Sequence, residues 1–271
     1  MKRGGILAFV LFFGLAVAQA QPVVSESHPW RGARVAYMGD SITDPRLRPE
    51  MKKYWGFLAD WLGITPYVYG VNGRQWNDIP RQTDQLREEH GDEVDAILIF
   101  IGTNDFNHGL PIGAWYDECD TLVEAAAGAP RQQVRRRMRQ PSMNPDTYRG
   151  RINIALSRLK QCYPTKQIVL LTPVHRAYAE FGERNVQPSE AYQNVCGTYL
   201  DRYVASIREA GEIWAVPVID RGMLSGLYPL LPEHAGYFCD PDTDLLHPNE
   251  EGHRRMALTL LYQLQQLPCR F

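Results

Sequence analysis

The sequence is short of several things, and each shortage removes a class of protein. Beyond its first twenty residues it has no long hydrophobic run, so no second candidate membrane span exists. Neither charge dominates: 29 Lys plus Arg stand against 31 Asp plus Glu, a formal net charge of −2, which gives no electrostatic reason to expect nucleic acid. There is no internal repeat and no Ser/Gly linker, which leaves out arrays and tethered modules. Cysteines are few, at Cys119, Cys162, Cys196, Cys239 and Cys269, and no two stand at zinc-finger spacing. Their odd number leaves at least one thiol unpaired within a monomer, and spacing alone assigns no disulfide.

What is present begins with an export pattern. Lys2 and Arg3 precede an apolar stretch from Ile6 to Val17, followed by Ala18-Gln19-Ala20, the small-x-small pattern that signal peptidases cut. Residues 1–20 are therefore expected to be a signal peptide, with the protein exported to a periplasmic or secreted location without stable membrane insertion. No cysteine follows the expected cut, which disfavours lipid attachment. Residues 21–271 are long enough for one sizeable core and are expected to form a single domain.

Apolar runs and helical patterns alternate along the chain. Arg34 to Met38, Asp95 to Ile101, Gln167 to Thr172 and Ile213 to Ile219 read as strands buried on both faces, with Pro66 to Tyr69 a further short one. Helical patterns occupy Tyr54 to Leu62, Trp76 to His90, Pro145 to Cys162, Ser189 to Ala210 and Asn249 to Leu267. The βαβα order predicts a three-layer α/β/α fold around a mostly parallel five-stranded sheet. Its active crevice would lie outside the carboxyl ends of the strands, where Ser41, Gly73, Asn104 and His175 emerge.

Those ends carry the chemistry. Gly39-Asp40-Ser41 places a hydroxyl directly after the first strand, where amide N–H groups face developing negative charge. On its own the segment would serve equally as a helix cap. Asp244-Leu245-Leu246-His247 offers a base with a carboxylate able to fold back onto the imidazole and fix its tautomer. Gly73 can present its N–H without obstruction and Asn104 a side-chain amide, which with the Ser41 N–H makes three oxyanion donors. Asp240, Asp242, Asp244 and Glu251 also sketch a calcium loop, but Leu245 stands where that template needs glycine and Pro248 interrupts it.

Taken in order, Gly39-Asp40-Ser41, Gly73, Gly102-Thr103-Asn104-Asp105 and Asp244-x-x-His247 resemble the four blocks of the SGNH hydrolases, also called the GDSL family. The first block reads Gly-Asp-Ser-Ile instead of Gly-Asp-Ser-Leu, and Asn72 before Gly73 is a second variation. The resemblance implies a flavodoxin-like fold and a cofactor-free esterase. It makes Ser41 the nucleophile, His247 the base, Asp244 its orienting acid, and Ser41, Gly73 and Asn104 the oxyanion hole. It favours acetyl esters on a carbohydrate, with a lysophospholipase or other lipid esterase as the alternative. A carbohydrate-binding protein that has lost turnover is the alternative from another class.

Asp40, Trp76, His175 and Arg176 are further candidates to line the pocket of a small-molecule or polysaccharide ester. The stretch from about residue 106 to 145 is the least family-like. With Trp115, Tyr116, Cys119 and Arg131, Arg135, Arg136, Arg137 and Arg139, it is expected to fold over the crevice as a lid or rim. The acyl group, the alcohol and the oligomeric state are left open.

Overall fold

The computed structural model of the protein describes residues 21–128 and 130–270, so the expected signal peptide lies outside the described residues. Five parallel strands form the central sheet: β1 (Arg34–Gly39), β2 (Thr65–Val68), β3 (Ala96–Phe100), β6 (Gln167–Leu171) and β9 (Val218–Ile219), in the order β2-β1-β3-β6-β9. This is the expected sheet, and its order reverses direction at β1. In β3 and β6 every residue is buried, as expected for strands covered on both faces.

Side-chain alternation along the strands divides the core in two. Val35, Tyr37, Leu98 and Phe100 face helices α1 (Tyr54–Leu62) and α7 (Glu250–Leu264). Ala36, Met38, Ile97 and Ile99 face α2 (Ile79–His90), α4 (Tyr148–Cys162) and α5 (Leu200–Trp214). Short helices α3 (Thr103–Asn107) and α6 (Arg221–Leu224) follow strand ends. No helix among the described residues is long and apolar enough to cross a membrane.

Two readings of the sequence are corrected here. Ile213 and Trp214 belong to the last turn of α5 and only Val218–Ile219 form the strand, because Ala215 takes a left-handed conformation (φ 50°) that ends the helix. The expected helix from Ser189 begins instead at Leu200. Before it, the Asn194 side chain accepts from the backbone N–H groups of Cys196 and Thr198, an alternative to helical pairing.

Two antiparallel elements were not foreseen. β4 (Tyr116–Ala125) and β5 (Gln132–Pro141) pair along their whole length as an arm in which no residue is buried. β7 (Ala179–Glu180), β8 (Val186–Gln187), β10 (Phe238–Asp240) and β11 (Asp244–Pro248) form a second small sheet, order β10-β11-β7-β8. β7 follows β6 and pairs with β11, so this sheet carries the distant C-terminal residues to the carboxyl end of the central one.

The end of β1 is closely packed. Gln82 on α2 donates to the Gly39 carbonyl and accepts from the Gly39 N–H, both at 2.9 Å. A Cβ on Gly39 would run into the Phe100 carbonyl and approach the Thr43 hydroxyl to 2.7 Å. Gly39→Ala should therefore lower stability by about 1–3 kcal/mol, measured as a drop in the urea midpoint at unchanged m-value.

Candidate active site

β1 lies between β2 and β3, so the segments that leave these strands are neighbours in space. Ser41 follows β1, Gly73 follows β2 and Asn104 follows β3. After β1 the chain turns sharply: Thr43 and Asp44 donate backbone N–H groups to the Asp40 carbonyl at 3.1 and 2.9 Å, and Ile42 N–H reaches the Asp40 carboxylate at 3.2 Å. The Asn72 N–H donates to Asp44 at 2.8 Å and ties the loop after β2 to this turn. Gly73 has φ 75°, the left-handed region, with open space where a Cβ would stand. Its conformation is what demands glycine there.

His247 arrives on β11. Its Nε2 lies 2.9 Å from Ser41 Oγ, across 206 positions of sequence. Its Nδ1 lies 3.0 and 3.1 Å from the two Asp244 oxygens, so the N–H is best placed on Nδ1 and the lone pair on Nε2, facing the serine hydroxyl. The backbone N–H groups of Leu246 and His247 also donate to Asp244, at 3.3 and 3.0 Å. Burial pushes Asp244 upward, but hydrogen bonding and charge from His247 together with the Arg48 guanidinium hold its carboxyl below the usual value. Arg48 donates to Asp244 at 3.0 Å and has positive φ (54°), a placement without a sequence signal. Among the described residues no group of three or more His, Cys, Asp or Glu is arranged to hold a metal.

Asn104 is fixed more firmly than a free amide donor. Its Nδ2 donates to the Arg74 carbonyl at 3.0 Å and to Asp40 at 3.4 Å. Asp40 is fully buried and does not line the cleft; burial raises it to about 7, against its Ile42 N–H bond and the charge of Arg176.

The other expected pocket residues lie elsewhere. Trp76 is core, 1% exposed, with its indole N–H donating to Tyr148 at 3.2 Å. Arg176, also 1% exposed, donates to Gln187 at 2.9 Å and to Thr103 at 3.4 Å behind the cleft. His175 hydrogen-bonds to Glu190, which raises its pKa, and faces a separate cavity of about 540 Å³ with Tyr199, Arg208 and Met223. Trp76 is a candidate for its nearness to Gly73, and His175 and Arg176 for following a strand end; side-chain direction, which neither criterion fixes, decides where each points.

The cleft around Ser41 has a volume of about 560 Å³. Of the described residues between 106 and 145, only Asn107 and His108 line it. Trp115 instead donates its indole N–H to Glu209 on α5, and the arginines lie along the arm. The rim is the β7–β8 turn, contributing Phe181, Arg184, Asn185 and Gln187, with the Phe181 ring packed edge-on against His247 at 5.3 Å. A Gly-containing polar stretch, Phe181-Gly182-Glu183-Arg184-Asn185, was the available turn signal.

With this geometry in hand, comparison with known proteins supplies the class. The GDSL-like lipase/acylhydrolase family model matches residues 37–255, and the chain belongs to that family. It is a hydrolase of the GDSL/SGNH type. Solved structures of the same fold include a protein from Lactobacillus plantarum (22% identity, TM-score 0.65, covering 87% of this chain and 97% of that one). A possible lipase from Chitinophaga pinensis is 21% identical, with TM-score 0.63 and coverage of 87% and 98%. A catalytic mutant of Axe2, an acetylxylan esterase from Geobacillus stearothermophilus, is 19% identical, with TM-score 0.51 and coverage of 86% and 94%. A search of curated proteins finds no match.

Two outcomes are expected. Replacing residues 117–140 of the arm by a short Gly/Ser turn should leave the thermal midpoint and aryl-acetate turnover unchanged, whereas a lid would lose or alter turnover. The second concerns Asp105, which is fully buried, accepts from the Trp76 N–H and Arg151, and is raised by burial to about 7 from 3.8. The folded protein keeps this proton where the unfolded chain releases it, so stability falls as pH rises through that window. The slope is on the order of 1.4 kcal/mol per pH unit. Asp105→Asn removes this contribution, and urea unfolding at pH 5 and 7 should show the variant gaining on the wild type as pH rises; a constant difference would count against it.

Proposed function

We propose that the protein is a serine esterase that removes short acyl groups, acetyl foremost, from a hydroxylated alcohol such as a carbohydrate. The observation that carries this reading is the continuous hydrogen-bonded chain from Ser41 Oγ to His247 and on to Asp244. His247 Nε2 takes the hydroxyl proton as Oγ attacks the ester carbonyl carbon. The oxyanion is held by the N–H groups of Ser41 and Gly73 and by Asn104, which exchanges its long contact with Asp40 for the new acceptor. The bond to the alcohol oxygen breaks, and His247 returns the proton to that oxygen. Water then attacks the acyl-enzyme as His247 takes its proton; the bond to Ser41 Oγ breaks, His247 returns the proton to that oxygen, and the acid leaves. Asp244 stays ionised throughout and stabilises the imidazolium.

The cleft lining supports a polar alcohol. Asn72, Asn107 and Asn185 are among the residues lining it, while the apolar residues lining it among the described ones are Leu47, Phe181 and Leu246. A long acyl chain would need a continuous apolar groove. The acetylxylan esterase activity named for the Axe2 structure agrees with an acetylated glycan. Export by way of residues 1–20 would place the enzyme with such polymers, and N-terminal sequencing of the exported protein should begin at Gln21.

Ser41→Ala should lower kcat on aryl acetates by about a thousandfold or more, and Asp244→Asn by about 10²–10⁴-fold. A serine-directed organophosphate should label Ser41; an unlabelled, inactive wild type would indicate a binding protein. A panel of acetylated glycans and aryl esters of graded chain length reads the substrate class. A preference for long acyl chains would turn the assignment to a lipid esterase.

A further inference from the structure

The Ser41 cleft carries two guanidinium groups on its walls. Its walls include Arg48 and Arg184 and, among the described residues, no carboxylate, the nearest acid along the turn being the exposed Glu183 outside the lining, while the full sequence has a formal net charge of −2. The two arginines differ in what they face. Arg48 is paired with Asp244 at 3.0 Å, so its charge is matched within the protein. Arg184 is exposed at the tip of the β7–β8 turn and makes no ion pair or hydrogen bond through its guanidinium among the described residues. The turn is braced by a bond from the Phe181 N–H to the Asn185 carbonyl at 2.8 Å and one from the Asn185 N–H to the Gly182 carbonyl at 2.9 Å. Phe181 of the same turn packs on the His247 ring.

That contact identifies the half of the substrate concerned. His247 must hand its proton to the departing alcohol oxygen, so the alcohol half of the ester lies beside His247, on the side where the turn stands. Gly73 and Asn104 hold the carbonyl oxygen. An unmatched guanidinium at the rim of a concave site concentrates anions there and can pair with a carboxylate or phosphate through two parallel N–H bonds.

We infer that Arg184 forms an anion subsite, and that the alcohol carrying the acyl group is acidic, a sugar bearing a carboxylate or phosphate. This rests on the esterase reading above and deepens it. The subsite sets specificity and takes no part in bond breaking.

The test compares kcat/KM for an acetylated methyl glucuronoside, the uncharged glucoside acetylated at the same position, and an acetylated glucose phosphate. The charged substrates should be preferred by about three- to tenfold, the span of one partly screened charge pair. Of the two, the one with the larger preference names the anion. Arg184→Gln should bring the charged-to-neutral ratio to about one, Arg184→Lys should keep part of it, and 0.5 M salt should shrink it in the wild type. Equal kcat/KM for charged and neutral sugars, with a ratio that Arg184→Gln does not move, would overturn the inference while leaving the esterase intact. If no ester is cleaved, calorimetric titration of glucuronate and glucose into the Ser41→Ala protein still decides the matter: preference for glucuronate lost in Arg184→Gln supports the subsite, and no preference removes it.

Discussion

One carboxylate fixes the geometry of the cleft. Asp244 accepts from the imidazole it orients, from two backbone N–H groups of its own turn, and from Arg48. Its lone pairs are therefore committed before any substrate arrives, and the imidazole has one stable orientation, with Nε2 toward Ser41. The ion pair with Arg48 lowers the cost of keeping this charge largely buried. Without these bonds the His247 ring would turn freely, and its distance to Ser41 would be an average over rotamers.

The parallel sheet does the corresponding work for the other half of the cleft. Because the strand order reverses at β1, the segments leaving β1, β2 and β3 converge at one crevice, so Ser41, Gly73 and Asn104 line one cleft without being close in sequence. Buried polar groups stiffen the convergence. Gln82 clasps Gly39, Asp105 holds the Trp76 N–H, and Asp40 with the Arg74 carbonyl holds Asn104. Burial raises both Asp40 and Asp105 to about 7, so their side chains titrate near neutrality and stability is given up there for a fixed arrangement.

The central strands were legible because strands covered on both faces must be apolar throughout, as Ala96–Phe100 are. Ser41, Gly73, Asn104 and His247 were legible as candidates because they occupy short blocks in a fixed order, and all four line one cleft. Pocket walls were not. Trp76 sits three residues after Gly73 and Arg176 shortly after the end of β6, yet both point inward, since neighbouring positions on a turn diverge. Arg48 entered the site through a left-handed backbone position that no residue pattern announces. The β7–β8 turn acquires its place from pairing with β11, a contact between segments far apart in sequence that local patterning does not encode. The end of α5 was lost for the opposite reason, because Ile213 and Trp214 are as apolar as the strand that follows.

The arm formed by β4 and β5 has two open edges, which ordinarily invite other strands. Its charges are sorted by strand: Asp117, Glu118, Asp120 and Glu124 lie on β4, and Arg135, Arg136, Arg137 and Arg139 on β5. Within one molecule the two sets attract, as Arg137 and Glu118 show at 2.6 Å. Between two molecules related by a twofold axis, each edge would meet its own kind, acid against acid or guanidinium against guanidinium, and repel. The same sorting that zips the arm shut thereby disfavours twofold pairing of its open edges, a safeguard for a ribbon with no cover.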